Sequence, residues 1–191
     1  MTDLMRYAAD LAGNPSRPLP PVDRWAPAYC GEIDLVIRRD GVWVYEGTPI
    51  GRAALVRLFS TVLRKEGSRY FLVTPTEKLG IEVEDAPFLA VNLRKEHASS
   101  GQTLVFTTNV GDEVIAGDDH RLDLRGAPYL HVRAGLDALI ARAVYYDLVA
   151  LGETREIDGE MHFGVASCGE FFSFGLAAAI MDTGAAAIGI L

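Results

Sequence analysis

The chain has 191 residues, of which 49% are hydrophobic and 23% are charged, and its formal net charge is −8. This composition is typical of a folded domain and excludes wholesale disorder. The 18 lysines and arginines are scattered along the chain and form no basic stripe of the kind that follows a nucleic-acid backbone. General binding of DNA or RNA is therefore not expected.

The cysteines and both ends of the chain predict a cytoplasmic protein without a membrane role. Cys30 and Cys168 lie far apart and form no zinc-binding or disulfide-scaffold pattern. The N-terminus carries charges among its apolar residues and lacks a signal-peptide core. The apolar, Ala-rich tail at 176–191 is shorter than the about 20 apolar residues of a membrane-spanning helix, and Asp182 interrupts it. We expect this tail to pack on the protein, to self-associate or to fray.

Residues 1–29 predict a short helix followed by a proline-rich arm, since five prolines in this segment disfavour regular structure. Strands are expected to follow. Apolar and polar residues alternate over 32–37, and the dipeptide Asp40-Gly41 suits the positive φ angles of a hairpin turn.

The spacing of apolar residues then changes to that of a helix. Apolar positions recur at i, i+3 and i+4 from Gly51 to about Lys65, and Gly67 stands where a helix C-cap is expected. Three strands are predicted after it, the last within 86–94. Residues 30–97 are therefore interpreted as a first α+β subdomain with the order ββαβββ.

Residues 98–175 predict a second subdomain of similar design. Strands are expected over 103–132, a helix over 135–152, and two further strands around Asp158-Gly159, with another turn at Cys168-Gly169. When the first helix is shifted by 81 positions, its apolar stripe falls on that of the second helix. This match indicates an internal duplication.

The predicted fold class is α+β, with two related subdomains that each contain a mostly antiparallel sheet and one main helix. Hairpin turns join most of the predicted strands, and only two core helices are expected. A parallel α/β fold would need a helix between nearly every pair of strands.

A glycine-containing stretch, Glu46–Phe59, lies where a strand meets the first helix. It matches neither the G-x-x-x-x-G-K-[ST] pattern of a P-loop nor the G-x-G-x-x-G pattern of a dinucleotide site. Thr48 and Pro49 suit the beginning of a helix, so a helix cap is the first interpretation. The alternative is an anion site, where Arg52 lies beside the free N–H groups of the helix start.

No catalytic or metal-binding pattern is evident. Ser167 and Cys168 lie between glycines, but the spacing differs from the G-x-S-x-G of a nucleophile elbow. The four histidines lack the spacings of metal ligands, and residues 117–120 resemble a polar turn more than a calcium loop. We predict no catalytic residue, no metal site and no cofactor.

Polar side chains follow two of the predicted strands. The loops there present Lys78, Asn109 and Asp112, although turn chemistry alone also explains such residues. Tyr145 and Tyr146 point about 100° apart on a helix, so one of them is expected outside the core, where it can stack on a base or a partner.

Several segments together resemble a bacterial, largely proteobacterial, domain family of unknown function. They include "PPVDRWAPAYCGEIDLVIRRDGVWVYEGTPIGR", "YFLVTPTEKLGIEVEDAPFLAV", "FTTNVGDEV", "YLHVRAGLDALIARAVYYDLV" and "SCGEFF", and they occur in order from Pro20 to Gly175. The resemblance implies a duplicated α+β core whose second half is similar to pleckstrin-homology domains. It also implies a nucleotide-like ligand in the groove between the halves and a role in signalling.

The matching segments supply the candidate binding residues, which are Arg52, Lys78, Asn109, Asp112, Arg133, Tyr145 and Tyr146. The two arginines can hold an anion by bidentate contacts, and the lysine adds a point charge. The amide and carboxylate can hydrogen-bond a base or a sugar, and a tyrosine can stack on it.

The function expected from the sequence is that of a non-catalytic, cytoplasmic ligand-binding or regulatory protein. Its ligand is expected to be small and anionic, or else a protein partner, because arginine and aromatic residues also serve as anchors of protein interfaces. Two alternatives remain. One is a hydrolase or transferase with a site in the same groove, and the other is a structural module that forms homo-oligomers through its tail.

Overall fold

The computed structural model describes residues 19–98, 101–124 and 126–182. The predicted N-terminal helix and the part of the tail beyond Asp182 lie outside the described residues. The chain divides into two compact units, Met1–Pro87 with Ala134–Leu136 and Phe88–Arg133 with Asp137–Leu191. No helix in the described part of the chain is long and apolar enough to cross a membrane.

The described part of the first unit contains one six-stranded sheet and one α-helix. Its elements are β1 (Tyr29–Ile37), β2 (Trp43–Tyr45), β3 (Thr48–Pro49), α1 (Ala53–Thr61), β4 (Leu63–Glu66), β5 (Arg69–Val73) and β6 (Lys78–Val83), preceded by a 3-10 helix, Val22–Arg24. The strand order is β3-β2-β1-β6-β5-β4. Only β1 and β6 pair in parallel, and the other neighbours are antiparallel.

The period-two pattern places β1 against the core. Leu35 and Ile37 are buried, and the hairpin turn predicted at Asp40-Gly41 is confirmed by the positive φ of Gly41. Trp43 on β2 stacks with Phe59 of α1, with ring centroids 6.5 Å apart. The helix is thus held on the sheet by two large buried rings.

Helix α1 is shorter than the sequence predicts. It ends at Thr61, and Leu63–Glu66 forms a strand instead of another helical turn. The hydroxyls of Ser60 and Thr61 donate to backbone carbonyls three residues earlier, which competes with helix continuation. Gly67 is not the C-cap but lies in the turn between β4 and β5, with φ of 61°.

The predicted helix cap is also wrong. Thr48 and Pro49 form the short strand β3, which pairs with β2, and the residue at the N-cap of α1 is Arg52, whose side chain makes no capping hydrogen bond. Glu46 and Gly47 both have positive φ angles and close the hairpin between β2 and β3. The glycine at this point therefore serves a turn between strands.

The proline-rich arm lies along the edge strand β4. Arg64 Nη1 donates to the backbone carbonyls of Val22 and Trp25, at 3.0 and 2.8 Å. These bonds cover part of the edge of the sheet with the arm. Such covering reduces the tendency of an edge strand to pair with another chain.

Two sheets and two helices make up the second unit as far as the structure describes it. Its elements are β7 (Phe88–Ala98), β8 (Gly101–Thr108), β9 (Glu113–Ile115), β10 (Leu122–Asp123), β11 (Tyr129–Arg133), β12 (Leu136–Ile140), α2 (Arg142–Ala150), β13 (Glu153–Ile157), β14 (Glu160–Ser167), β15 (Glu170–Leu176) and α3 (Ala177–Asp182). The six-stranded sheet has the order β10-β11-β12-β7-β8-β9, and β13-β14-β15 forms the smaller sheet. Strand β7, which the sequence pattern placed in the first subdomain, is central to the second unit.

The two six-stranded sheets have the same topology. In each, the first three strands form one meander and the last three another, and the two meanders join through a parallel pair of the first and last strands. This identity confirms the predicted duplication and the α+β class with two related halves. The mostly antiparallel sheet of the second unit is followed by helix α2, in keeping with the expected likeness to pleckstrin-homology domains.

The residue match on which the duplication was inferred is nevertheless wrong. Residues 136–140 form strand β12, and the helix begins only at Arg142. Leu136, Ala138 and Ile140 are buried at a period of two, and Leu139 is buried as well, so the same apolar residues also fit a helical spacing. Helix α1 follows the third strand of its sheet whereas α2 follows the sixth strand, so the two helices are not equivalent.

The small sheet depends on close approaches that only glycine permits. A Cβ on Gly164 of β14 would lie 2.4 Å from the carbonyl oxygen of Phe172 and 2.5 Å from the ring of Phe171. A Cβ on Gly152 would lie 2.2 Å from the ring of Phe163. The turns predicted at Asp158-Gly159 and Cys168-Gly169 are confirmed, and all four of these turn residues have positive φ.

Candidate functional site

A cleft of about 560 Å³ lies within the second unit, between strands of its two sheets. Strands β10, β11 and β12 contribute one side, and β14 and β15 contribute the other. The lining side chains with aromatic, imidazole, carboxylate or hydroxyl groups include Tyr129, His131, Asp137, His162, Phe171 and Ser173. The cleft thus combines apolar rings with several groups that can form hydrogen bonds.

His131 and Asp137 form a hydrogen-bonded pair in this cleft. They lie on the neighbouring strands β11 and β12, and Nδ1 of His131 is 3.0 Å from Oδ1 of Asp137. Because a carboxylate only accepts hydrogen bonds, the proton of the ring lies on Nδ1. The hydrogen bond gives His131 a fixed orientation, and in the neutral form of the ring Nε2 carries a lone pair and is an acceptor.

A second imidazole is held on the opposite side of the cleft. Nδ1 of His162 on β14 lies 2.9 Å from Oγ of Ser173 on β15. The same Oγ accepts a hydrogen bond of 3.0 Å from the backbone N–H of Gly175, where the pairing of β14 with β15 shifts register. Ser173 is therefore engaged by the irregular strand as well as by the imidazole.

Phe171 forms an aromatic wall of the cleft, and its position depends on Gly164. The guanidinium of Arg155 lies 4.5 Å from the centroid of the Phe171 ring. Gly164, on the neighbouring strand β14, has no side chain, and this leaves space for the edge of that ring. The wall is thus fixed by a cation–π contact and by a glycine.

Among the described lining residues, carboxylates outnumber cations. Asp123 and Asp137 are the acidic side chains, and Arg121 is the cationic one. Arg121 pairs with Asp118, at 3.3 Å, and its side chain is 64% exposed. Among these described residues, Asp137 has a carboxylate oxygen left for a ligand, whereas the guanidinium of Arg121 already has a partner.

The two candidate cations of the first unit have different surroundings. Arg52 is exposed at the start of α1 and makes no ion pair with the described residues. Lys78 is mostly buried at the start of β6, where its Nζ lies 3.1 Å from Oε2 of Glu66 and 5.0 Å from the centroid of the Phe71 ring. The hydrogen bond from Lys78 is the main reason why the pKa of Glu66 lies below its usual value.

Asp112 and Arg133 are brought together by the second unit. Nη1 of Arg133 lies 2.6 Å from Oδ2 of Asp112, and its guanidinium lies 4.9 Å from the centroid of the Phe88 ring. Oδ1 of Asn109 accepts a hydrogen bond of 3.0 Å from the backbone N–H of Leu89. The backbone N–H of Asn109 in turn donates a hydrogen bond of 2.8 Å to the carbonyl oxygen of Leu89. These three polar side chains hold the turn after β8.

The two tyrosines of α2 diverge as predicted from their spacing. Tyr145 packs edge-on against Phe174, with centroids 5.8 Å apart, and its burial raises the pKa of its hydroxyl. Tyr146 is 45% exposed, and its hydroxyl accepts a hydrogen bond of 2.9 Å from Nε of Arg142. Neither tyrosine lines the cleft of the second unit.

Sequence reasoning missed the histidines of the cleft, because no sequence spacing connects them. A local signal for one pair was present, however. His131 and Asp137 flank Ala134-Gly135, whose positive φ angles make a hairpin turn of the kind that brings such residues onto adjacent strands. Because the sequence pattern predicts a helix from residue 135 onwards, it does not place His131 and Asp137 on adjacent strands.

The candidate nucleophiles and metal ligands have structural roles in the described part of the chain. Ser167 is fully buried, donates to the carbonyl of Ala116 at 2.7 Å and accepts from Leu104 N–H at 2.9 Å. Cys168 occupies a left-handed turn position, with φ of 51°. No group of three His, Cys, Asp or Glu residues among those described is arranged to hold a metal ion.

Comparison with solved structures gives two related proteins. A DUF1285 family protein from Silicibacter pomeroyi DSS-3 is 44% identical, with a TM-score of 0.78, over 90% of this chain and 96% of that chain. A DUF1285 family protein from Shewanella baltica OS155 is 31% identical, with a TM-score of 0.50, over 62% of this chain and 91% of that chain. No curated protein matches the chain.

The family comparison covers both units. Residues 20–86 match the model of the N-terminal domain of DUF1285, described as a domain of unknown function. Residues 87–174 match the model of the C-terminal domain of DUF1285, described as a protein of unknown function. The resemblance noted from the sequence is thereby confirmed: the chain belongs to the DUF1285 family.

Proposed function

We propose that this protein is a ligand-binding or regulatory protein that takes up a small, nucleotide-like molecule in the cleft of its second unit. Binding without chemical transformation is the role of a sensor, so the proposal includes a function in signalling and the cytoplasmic location expected from the sequence. The observation that carries it is the cleft itself. Its concave form favours a small molecule over a protein partner.

The volume and lining of the cleft suit such a ligand. Small-molecule sites have volumes of about 300–1,000 Å³ and combine apolar walls with a few oriented polar groups. The cleft has about 560 Å³, the aromatic walls Tyr129 and Phe171, and two imidazoles whose Nδ1 atoms are already engaged. A planar ring can pack on the aromatic groups while its polar substituents meet the imidazoles.

A thermal-shift screen of the full chain tests the proposal. The panel contains nucleosides, nucleotides, cyclic nucleotides and phosphorylated metabolites, because a ligand that binds only the folded state raises the melting temperature. A ligand at a hundred times its Kd adds about 2.7 kcal/mol to the free energy of unfolding. The proposal fails if no compound of the panel raises the midpoint at millimolar concentration.

Two arginines of the second unit provide a matched pair of variants. Arg121→Ala removes a cation that lines the cleft, whereas Arg94→Ala removes an exposed arginine that pairs with Glu96 and Glu113 and does not line it. We expect Arg121→Ala to weaken binding of a hit severalfold and Arg94→Ala to leave it unchanged. Equal effects of the two variants would exclude a contact between Arg121 and the ligand.

The anion site expected from the sequence is tested with the same hit. Arg52→Ala and Lys78→Ala remove the candidate cations of the first unit. A loss of affinity in either variant, with Arg121→Ala unaffected, would place the ligand at the residues selected from the sequence. Unchanged affinity in both variants supports the cleft.

The His131–Asp137 pair favours one second candidate, a hydrolase or transferase that uses the same cleft. A carboxylate that orients an imidazole through Nδ1 leaves Nε2 as a general base. Any hit from the screen is therefore incubated with the protein and analysed by mass spectrometry. Turnover that His131→Ala abolishes would establish the enzyme, and an unaltered ligand after prolonged incubation favours the binding protein.

A further inference from the structure

We infer that the ligand enters the cleft with a neutral, hydroxyl-bearing part, such as a sugar or a ribosyl group, and that the His131–Asp137 pair recognises those hydroxyls. This inference rests on the proposed function, because it specifies which chemistry the same cleft accepts. It differs from the expectation of an anion site. The contacts of the pair, the charge of the lining and its aromatic groups support it.

The pair presents acceptors to a ligand. Oδ1 of Asp137 receives the Nδ1 proton of His131, at 3.0 Å, while Oδ2 has no partner among the described residues. Nε2 of the neutral imidazole is also an acceptor, with no hydrogen bond to the described part of the chain. Two neighbouring acceptors match the two O–H donors of a vicinal diol.

The charge of the lining disfavours an anion next to this pair. Among the described lining residues, Asp137 is itself a carboxylate, and the charge of Arg121 is shared with Asp118. A phosphate or carboxylate here would meet the like charge of Asp137, and it would leave the acceptors of Asp137 without donors. Desolvating an acceptor without giving it a partner costs binding free energy. A hydroxyl satisfies the same acceptor without adding charge.

The aromatic groups supply the second element of sugar recognition. Tyr129 and Phe171 line the cleft, and Phe171 is held in place by Arg155 and by the space at Gly164. Apolar C–H faces of a sugar ring, or the attached planar base, gain dispersion and burial against such rings. Acceptors beside aromatic walls therefore form a complementary surface for a polyhydroxylated ligand.

The test compares ligands that differ only in their hydroxyls. Isotope-labelled full-length protein is titrated with adenosine, guanosine, cytidine and uridine, with the 2′,3′-dideoxy form of each, with D-ribose and with inorganic phosphate. Resonances of the cleft and dissociation constants are followed by NMR. We expect each ribonucleoside that binds to do so at least about tenfold more tightly than its dideoxy form, since a hydrogen bond to a charged acceptor contributes that factor or more.

Variants then assign the difference to the pair. Asp137→Asn keeps the shape of the side chain but replaces an acceptor with a donor, and it is expected to abolish the preference for hydroxyls. Asp147→Asn is the control, because Asp147 is exposed on α2 and does not line the cleft. Even if Asp137→Asn lowers stability, comparing ribonucleosides with their dideoxy forms in the unaltered protein still shows whether the cleft recognises hydroxyls.

Each outcome separates this inference from the proposed function. Dideoxynucleosides that bind as tightly as ribonucleosides overturn the inference and leave ligand binding by the cleft intact. Inorganic phosphate that shifts the cleft resonances, or nucleotides that bind there about tenfold more tightly than nucleosides, also overturn it. If no compound in the series perturbs the cleft, and the nucleotide screen is equally negative, the proposed function itself fails.

Discussion

Arg133 and Asp112 form a close ion pair, with Nη1 and Oδ2 2.6 Å apart, beside the ring of Phe88. Their side chains are only 21% and 23% exposed. Both residues were selected from the sequence for a ligand, yet each has the other as its partner. The pair joins the strand end at Arg133 to the turn after β8.

We expect Arg133→Ala to lower the free energy of unfolding by about 1–2 kcal/mol, because it leaves a half-buried carboxylate without its partner. Chemical denaturation of Arg133→Ala, Asp112→Ala and the double variant gives the coupling energy, which we expect to be about 1 kcal/mol. Arg94→Ala, which breaks exposed ion pairs, is the control and should cost about 0.5 kcal/mol or less. A coupling energy near zero would contradict a stabilising role for the pair.

Gly164→Ala is expected to destabilise the protein by about 2–3 kcal/mol and to displace the aromatic wall of the cleft. The added methyl group would lie 2.4 Å from the backbone oxygen of Phe172, which cannot move without disturbing the pairing of β14 with β15. Gly126→Ala is the control, since a methyl group at this position would have no described atom within 4 Å. Thermal unfolding and the NMR spectrum of the Phe171 ring measure the two effects.

Ala134 has a φ of 45°, in the left-handed region that costs an alanine about 1 kcal/mol. We expect Ala134→Asn to stabilise the protein by about 0.5–1 kcal/mol, since asparagine tolerates this conformation better. Ala134→Val should instead destabilise it, because a β-branched side chain is strained there. Equal midpoints of the two variants in urea would show that this turn does not limit stability.

We expect ionisation of the Tyr145 hydroxyl to lower the free energy of unfolding at alkaline pH. Burial raises the pKa of its hydroxyl in the folded state, so the stabilisation is fully present below the unfolded pKa of about 10 and is lost as the pH rises through the folded value. Tyr145→Phe keeps the ring against Phe174 and removes the ionisable group. We expect this variant to lose less stability than the wild type between about pH 9 and about pH 11.

Denaturant titrations at several pH values measure that difference. Tyr146→Phe is the matched control, because Tyr146 is the exposed neighbour on the same helix. An alkaline slope that Tyr145→Phe leaves unchanged would show that another group causes the loss.

Local turn chemistry made much of the fold predictable. Asp40-Gly41, Asp158-Gly159 and Cys168-Gly169 identify hairpins because glycine adopts positive φ at little cost. Ala134-Gly135 makes the same kind of turn, but alanine there gives no such signal. The apolar residues that follow it fit both a strand and a helix, and tertiary pairing of β12 with β7 decided between them.

The candidate site was less predictable because its residues meet only through the sheets. His131 and Asp137 are near in sequence, but His162 and Ser173 join them through the separate sheet of β14 and β15. Charged residues selected singly, such as Lys78 and Arg133, turned out to have intramolecular partners. Sequence spacing cannot show which cations a fold neutralises.

The parallel pairing of first and last strands in both large sheets has a consequence during synthesis. On the ribosome, the nascent first sheet lacks one of its two central strands until β6 has emerged, so β1 can pair with β2 early but must wait for its parallel partner, which lies more than forty residues downstream. Such distant pairing slows folding. The same arrangement means that neither large sheet tolerates truncation of the segment that forms it. Removing the first or the last strand of that segment takes away a central strand of the sheet and not an edge strand.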